Sequence, residues 1–381
     1  TMEADTLSVT EHPHHITENG LLKVASIYGP NAGGKTNLLK AFLILKKLTN
    51  PYDIERNINL KDIEPFKFIK EGDKIITFKV FFIDDRYEIG YHVSFEKVTV
   101  NEITKIIIHY ENLSYRLLNE NKFNNLFIRN GQNIIAEKLS KELKISSFRI
   151  SDTITFVSFL NQYINFLGEN PCYLDIVSRF KYQIRSIVYT NNLNEINKTY
   201  FNISTLNVLE KQYSSPYIKD NVINILNNLD INISNIIFEK IPNNRSRIFC
   251  EHFIGEEKYI LSLEEESAGT ITLIHSLPTL ISAIKRGFII VVDEIDAHLH
   301  PKLIQKIIEL FNSKHNKEAQ LIFNSHDILN MNNENFRRDE IWFVYRNENL
   351  ESELICLSDF ENYKGEKVRK DAKYSKQYME G

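Results

Sequence analysis

The chain has 381 residues, a formal net charge of −4, 43% hydrophobic residues and 25% charged residues. This composition supplies a sizeable core and excludes disorder as the default, while the near-neutral charge gives no global field toward nucleic acid. Cys172, Cys250 and Cys356 lie far apart with no CxxC pair, which argues against a disulfide framework or a thiolate metal site and fits a reduced cytoplasmic compartment.

No apolar run is long enough to span a bilayer, so no membrane is expected. The opening Thr1-Met2-Glu3-Ala4-Asp5 is unlike a signal peptide. His12, His14 and His15, near the chain start, read as solvent-exposed. The first region predicts an apolar strand over 21–28, a Gly-rich turn and a helix over 36–48. Stretches at 75–83, 87–95 and 97–108 alternate β-branched and aromatic residues with period two, the pattern of an antiparallel meander. A second region is Asn-rich, with helical patterns near 133–143, 154–167, 172–186 and 216–229. From about 241 the order is strand, strand, helix (268–286), strand (288–293), helix (301–314), strand (319–324). That alternation predicts a mostly parallel sheet. The boundaries expected from these shifts are 1–111, 112–240 and 241–381.

Gly29-Pro30-Asn31-Ala32-Gly33-Gly34-Lys35-Thr36 matches G-x-x-x-x-G-K-[ST], between a strand and a helix. The glycines let backbone N–H groups converge on a phosphate without Cβ clashes. Lys35 suits the β- and γ-phosphates, and the Thr36 hydroxyl suits Mg²⁺. The helix that follows points its positive dipole end at the same anion. Phe288-Ile289-Ile290-Val291-Val292-Asp293-Glu294 is a buried-strand pattern ending in two acids. Asp293 is the expected Mg²⁺ ligand, directly or through water, and Glu294 the expected general base. His298 and His300 stand two apart, a spacing that does not share a helix face, and Pro301 marks a helix start.

Two further elements complete the order: Glu266-Ser267-Ala268-Gly269-Thr270 before a helix, and Asn324-Ser325-His326-Asp327 after the next strand. The set resembles the ABC-type ATPase heads shared by SMC, RecF-like and OLD-like proteins. Within them it is most similar to the bacterial AAA-type ATP-binding proteins of the abortive-infection (AbiL-like) branch. The resemblance implies an α/β P-loop NTPase of ABC-ATPase head type, with an antiparallel β-meander lobe and a mainly helical insertion. It implies ATP and Mg as cofactors, held by Gly29, Asn31, Gly33, Gly34, Lys35, Thr36, Asn37 and Asp293. It further implies that Ser267 and Gly269 form a signature capping the γ-phosphate bound to a partner chain. His326 would contact the γ-phosphate, and Asp296 would lie at the dimer interface. The implied partners are a second copy of the chain and a nuclease-like effector encoded nearby, in an anti-phage setting. Ser267 and the helix start suit their task physically, offering a hydroxyl, N–H groups and a positive dipole end; a plain Ser N-cap is the other reading.

Two features depart from the family pattern. No Q-loop glutamine can be placed after the first helix, and relatives extend beyond both Thr1 and Gly381, so further residues are expected at each end. The motifs do not separate ATP from GTP. A DNA-binding clamp of the recombination-repair kind is the alternative; its basic face would come from Lys46 and Lys47, Arg337 and Arg338, or the stretch from Lys364 to Lys373, which also read as solvated surface. A small-molecule kinase fits poorly beside the signature and the acids after the strand.

Overall fold

The computed structural model describes residues 2–5, 12–50, 63–65, 74–100, 103–164, 172–197, 205–241, 245–297, 299–360 and 374–380. The chain forms two compact units, residues 1–39 with 188–381, and residues 40–187.

The first unit opens with β1 (Val24–Tyr28), buried along its whole length. A strand covered on both faces reads as a continuous apolar run without alternation. Ser26 tolerates this burial because its Oγ donates to the Glu340 carbonyl at 3.1 Å. The Gly-rich loop then leads into α1 (Lys35–Leu48), which begins in the first unit and ends in the second.

The second unit carries an antiparallel sheet of β2 (Ile76–Ile83), β3 (Tyr87–Val100), β4 (Ile103–Leu117), β5 (Asn124–Asn130) and β6 (Asn133–Ile135), adjacent in chain order. Helices α2 (Glu137–Leu143), α3 (Phe156–Ile164) and α4 (Cys172–Ser186) follow. The meander therefore exceeds its expected length. The boundary expected between 111 and 112 falls inside β4, and the region expected to be mainly helical also holds β5 and β6. The helical pattern over 133–143 splits because Asn130 pairs with Asn133 around a turn opened by Gly131 at φ 55. Asn-Gly is a strong hairpin signal, and here it overrides the helical period.

A buried polar centre organises this unit. Glu111 and Arg129 are both 0% exposed. The Glu111 carboxylate accepts from the N–H groups of Phe156 (2.5 Å) and Val157 (3.0 Å) at the start of α3, and from the Tyr91 hydroxyl (3.0 Å). A carboxylate there satisfies helix donors that have no intrahelical acceptor. Arg129 lies 3.7 Å away and donates to the carbonyls of Gly131, Ser151 and Ile154. Burial nevertheless pushes the Glu111 carboxyl above its ordinary value, against the pull of these partners.

β7 (Ile187–Thr190) returns the chain to the first unit, followed by α5 (Thr205–Tyr213) and α6 (Pro216–Asn227). Three strands, β8 (Asn235–Ile241), β9 (Arg245–Ile254) and β10 (Glu257–Ser262), form an antiparallel sheet where the sequence suggests two. Then come α7 (Ala268–Arg286), β11 (Ile289–Val292), α8 (Pro301–Phe311), β12 (Gln320–Asn324), β13 (Ile341–Arg346), β14 (Ser352–Cys356) and α9 (Tyr374–Glu380). Gly287 ends α7 at φ 69, a left-handed cap that glycine adopts at low cost.

The main sheet has the order β14-β13-β1-β12-β11-β7. β1 runs parallel to both β12 and β13, β11 runs parallel to β12, and β14 is antiparallel to β13. The register sets Ile27 beside Asn324 and Val292 beside Phe323. β1, β11 and β12 therefore finish side by side, and the carboxyl edge of a parallel sheet is where such folds bind ligands.

Candidate functional site

The loop after β1 is shaped by its glycines. Gly29 has φ 151 and Gly34 φ 110. A Cβ on Gly29 would run into the Val344 carbonyl of β13, and one on Gly34 into the Ser352 hydroxyl of β14. Only glycine lets the loop lie this close to those strands. Ala32, also left-handed at φ 62, has its carbonyl held by Arg346 at 2.6 Å. Asn31 and Asn37 are exposed, and Gly33 is buried.

Lys35 is 6% exposed, and its ammonium donates to the carbonyls of Gly29 (2.7 Å) and Pro30 (3.1 Å). Burial pulls its pKa down, while Asp293, Asp296 and Glu294 pull it up. Next to it, the Thr36 hydroxyl donates to Asp293 Oδ1 at 3.1 Å. The predicted loop and the predicted acids, more than 250 residues apart in sequence, are thus one site.

Asp293 is 6% exposed, and its Oδ1 also accepts from Asn324 Nδ2 at 2.5 Å. The same Asn324 side chain accepts, through Oδ1, the backbone N–H of Glu294 at 2.5 Å. Glu294 has φ 55, an uncommon conformation for a residue other than glycine, and its side chain is exposed. Strain of this kind persists where neighbours over-determine it, and it clusters at functional sites. Asn324 has no role of its own in the Asn324-Ser325-His326-Asp327 element as read from sequence, and the structure sets its side chain between the two acids. Its signal was a polar residue ending the buried run Gln320–Asn324, beside the strand that carries the acids.

Asp296 is half-buried. Its Oδ2 accepts the backbone N–H of His326 at 3.1 Å, and its buried Oδ1 has no hydrogen-bond partner. His326 joins this cluster through its main chain, and its residue is exposed.

Ser267 and Gly269 stand apart from this group. Ser267 caps α7: its Oγ accepts from Thr270 N–H at 3.1 Å and shares a 2.9 Å hydrogen bond with Thr270 Oγ1. Gly269 lies against α8, where a Cβ would come within 3.1 Å of Leu303. Among the described residues, no hydrogen bond joins either one to the P-loop or to the acids. His300 caps α8 by accepting from Lys302 N–H at 3.3 Å, with Pro301 at the helix start; His298 lies outside the described residues.

The candidates for a basic face are largely engaged internally. Lys46 donates to the carbonyls of Ile187 (2.5 Å) and Arg185 (3.3 Å). Arg337 is 0% exposed and forks onto both Asp339 oxygens at 2.8 and 2.7 Å. The stretch from Lys364 to Lys373 lies outside the described residues. All three cysteines are free, with Cys250 and Cys356 buried. Among the described residues, no helix is long and apolar enough to cross a membrane.

The donor set fits Mg²⁺ and a polyphosphate. A hydroxyl and a carboxylate converge beside a cradle that a single Cβ would fill, and a hard cation prefers oxygen ligands. A parallel sheet, a glycine-dependent loop opening onto a helix, and paired acids at the neighbouring strand end define a P-loop NTPase. Within that class, residues 24–332 match the family described as "AAA domain, putative AbiEii toxin, Type IV TA system", and the chain belongs to that family of ATPase domains. A comparison with curated proteins found no match.

Solved structures give remote likenesses. One is the Smc head bound to the C-winged helix domain of ScpA, 17% identical over 88% of this chain and 90% of that one, with a TM-score of 0.40. Another is the Smc head with an extended coiled coil bound to the C-terminal domain of ScpA, derived from Pyrococcus furiosus: 16% identical, 88% and 91% covered, TM-score 0.37. The SMC head domain from Thermotoga maritima is 13% identical, with 89% and 91% covered and a TM-score of 0.37.

Proposed function

We propose that the chain is a Mg²⁺-dependent ATPase of ABC type that works as a homodimer with two shared sites. The observation that carries this reading is the convergence on Asp293: Thr36 of the phosphate loop and Asn324 of the adjoining strand both donate to its Oδ1. Mg²⁺, when bound, would be held by Thr36 and Asp293 and would offset charge on the β- and γ-phosphates. Lys35 and the loop amides would hold the phosphates at the positive end of α1. Glu294, one residue beyond the buried Asp293, would take the proton of the attacking water. Asn324 holds the backbone between the two acids, so metal ligand and base keep a fixed relation.

Ser267 is exposed at the start of α7 and bonds within its own first turn. That is the reason for assigning it, with Gly269, to the γ-phosphate of a second chain. Isologous pairing would then give two composite sites, with Asp296 and His326 near the shared interface. The family description, with its AbiEii toxin and type IV system, supports a role in abortive infection; an effector encoded beside this gene and a cytoplasmic location belong to the same proposal. The 112–240 region is the candidate for recognising that partner.

Mixing tests the composite site. Lys35→Ala and Ser267→Arg chains, each inactive alone, should regain ATPase activity together, because their heterodimer keeps one intact site. Demonstrable heterodimers that stay inactive would mean that the signature works in cis or that both sites must fire together, and wild-type turnover by a strict monomer would exclude the composite site.

A further inference from the structure

His12, His14 and His15, expected at the solvent-exposed chain start, are instead gathered in the first unit, and His15 is only 4% exposed. Their rings meet in two orientations. His12 and His15 stack with centroids 4.6 Å apart, and His14 stands edge-on to both at 6.0 and 4.7 Å. One ring nitrogen from each residue lies within 4.8 Å of the other two. Bonds of about 2.05 Å to a tetrahedral ion place ligand nitrogens roughly 3.4 Å apart, so closing the set requires ring rotations that break the His12–His15 stack.

A carboxyl group backs the innermost histidine, although Lys23 and Arg337 also face it. His15 Nδ1 lies 2.9 and 3.1 Å from the two Glu340 oxygens, and with the carboxylate ionised it is the Nδ1–H that donates. That bond selects the tautomer with a lone pair on Nε2, the carboxylate–histidine arrangement that orients a metal ligand. The three histidines line a cleft of about 240 Å³ together with Asn312, Glu309 and Glu334. Asn312 is 3% exposed, and both its Oδ1 and its Nδ2 lack a hydrogen-bond partner. A buried amide with neither end satisfied is costly unless something in the cleft meets it. Asn312 also caps the carboxyl end of α8, where the helix dipole favours positive charge.

We propose that His12, His14 and His15 form a binding site for a borderline divalent transition metal, Zn²⁺ first, separate from the nucleotide site. Asn312 Oδ1, or a water held by it, completes the coordination. Three neutral imidazoles suit Zn²⁺ and not Mg²⁺, which demands oxygen. A bound ion would tie the chain start to the end of α8 and to the segment before β13, where the His12 Nε2 meets the Asn333 carbonyl at 2.9 Å.

The test is a Zn²⁺ titration of the untagged full chain in excess Mg²⁺, followed by an indicator of free zinc. Wild type should take up one equivalent. His14→Ala, at an exposed position that leaves the core alone, should weaken binding at least about 10–100-fold, the loss that altering a hydrogen-bond partner of a ligand alone can cause. Lys35→Ala should bind zinc as wild type does, which separates this site from the P-loop. Co²⁺ adds an independent readout: wild type should show the visible bands of a tetrahedral N-ligated ion, and His14→Ala should lose them. No stoichiometric uptake by wild type, or equal uptake by His14→Ala, would overturn the proposal.

Discussion

Replacing Asn324 by Ala removes one side chain that serves two acids. It is 1% exposed, donates to the carboxylate of Asp293, and receives the N–H of Glu294. A hydrogen bond to a charged group contributes about 1.5–3 kcal/mol, and leaving a buried donor unsatisfied costs about 1–3 kcal/mol. Together these predict a loss of about 2.5–6 kcal/mol in the stability of the first unit. The single tryptophan, Trp342 in β13, reports on the same sheet. Urea unfolding followed by its fluorescence should move to a lower midpoint at an unchanged slope. Mg·ATP turnover should fall at least about tenfold, since the metal ligand and the base lose their common anchor. Asn324→Asp adds a discriminating case. Two facing carboxylates raise each other's pKa, so the folded state takes up a proton that the unfolded chain does not. Stability lost at neutral pH should therefore return as pH falls toward those raised values. A midpoint shift worth under about 0.5 kcal/mol for Asn324→Ala, the range of ordinary surface substitutions, would show that Asn324 does not hold the strand ends.

Two further outcomes follow. Glu294→Gln keeps shape but removes the base, so hydrolysis should fall by a factor on the order of 10² or more while ATP still binds; rapid-quench turnover measures it, and an unchanged rate would send the search for the base elsewhere. Glu111→Leu leaves the buried Arg129 charge unpaired and strips the α3 start of its acceptor, which should cost about 3–5 kcal/mol of stability. Glu111→Leu combined with Arg129→Met should recover most of that loss in thermal unfolding, and a double variant no better than the single one would refute the pairing.

The site was legible where its information is local. The step from β1 through the glycine loop to α1, and the acids ending β11, are each written within a dozen or so residues, so strand pattern and turn chemistry suffice. Asn324 was not legible in that way. Its role depends on the register that sets β12 between β1 and β11, and no short window carries a register. β7 lies beyond the expected helix over 172–186: Ile187–Thr190 follows α4 with no breaker between them, and four residues are too few to show a strand period. His15 looked exposed from its place near the chain start; its burial comes from Glu340, 325 positions away. The meander exceeds the expected stretches over 75–108 because β4 runs on to Leu117 and β5 and β6 extend the sheet.

The central claim is that this site binds a nucleoside triphosphate through Lys35 and Thr36. Calorimetric titration of the untagged chain with ATP in the presence of Mg²⁺ tests it most directly. Wild type should bind saturably, and Lys35→Ala should lose binding, because the loop keeps its amides but loses the buried ammonium beside them. Equal affinity in the two proteins would contradict the account.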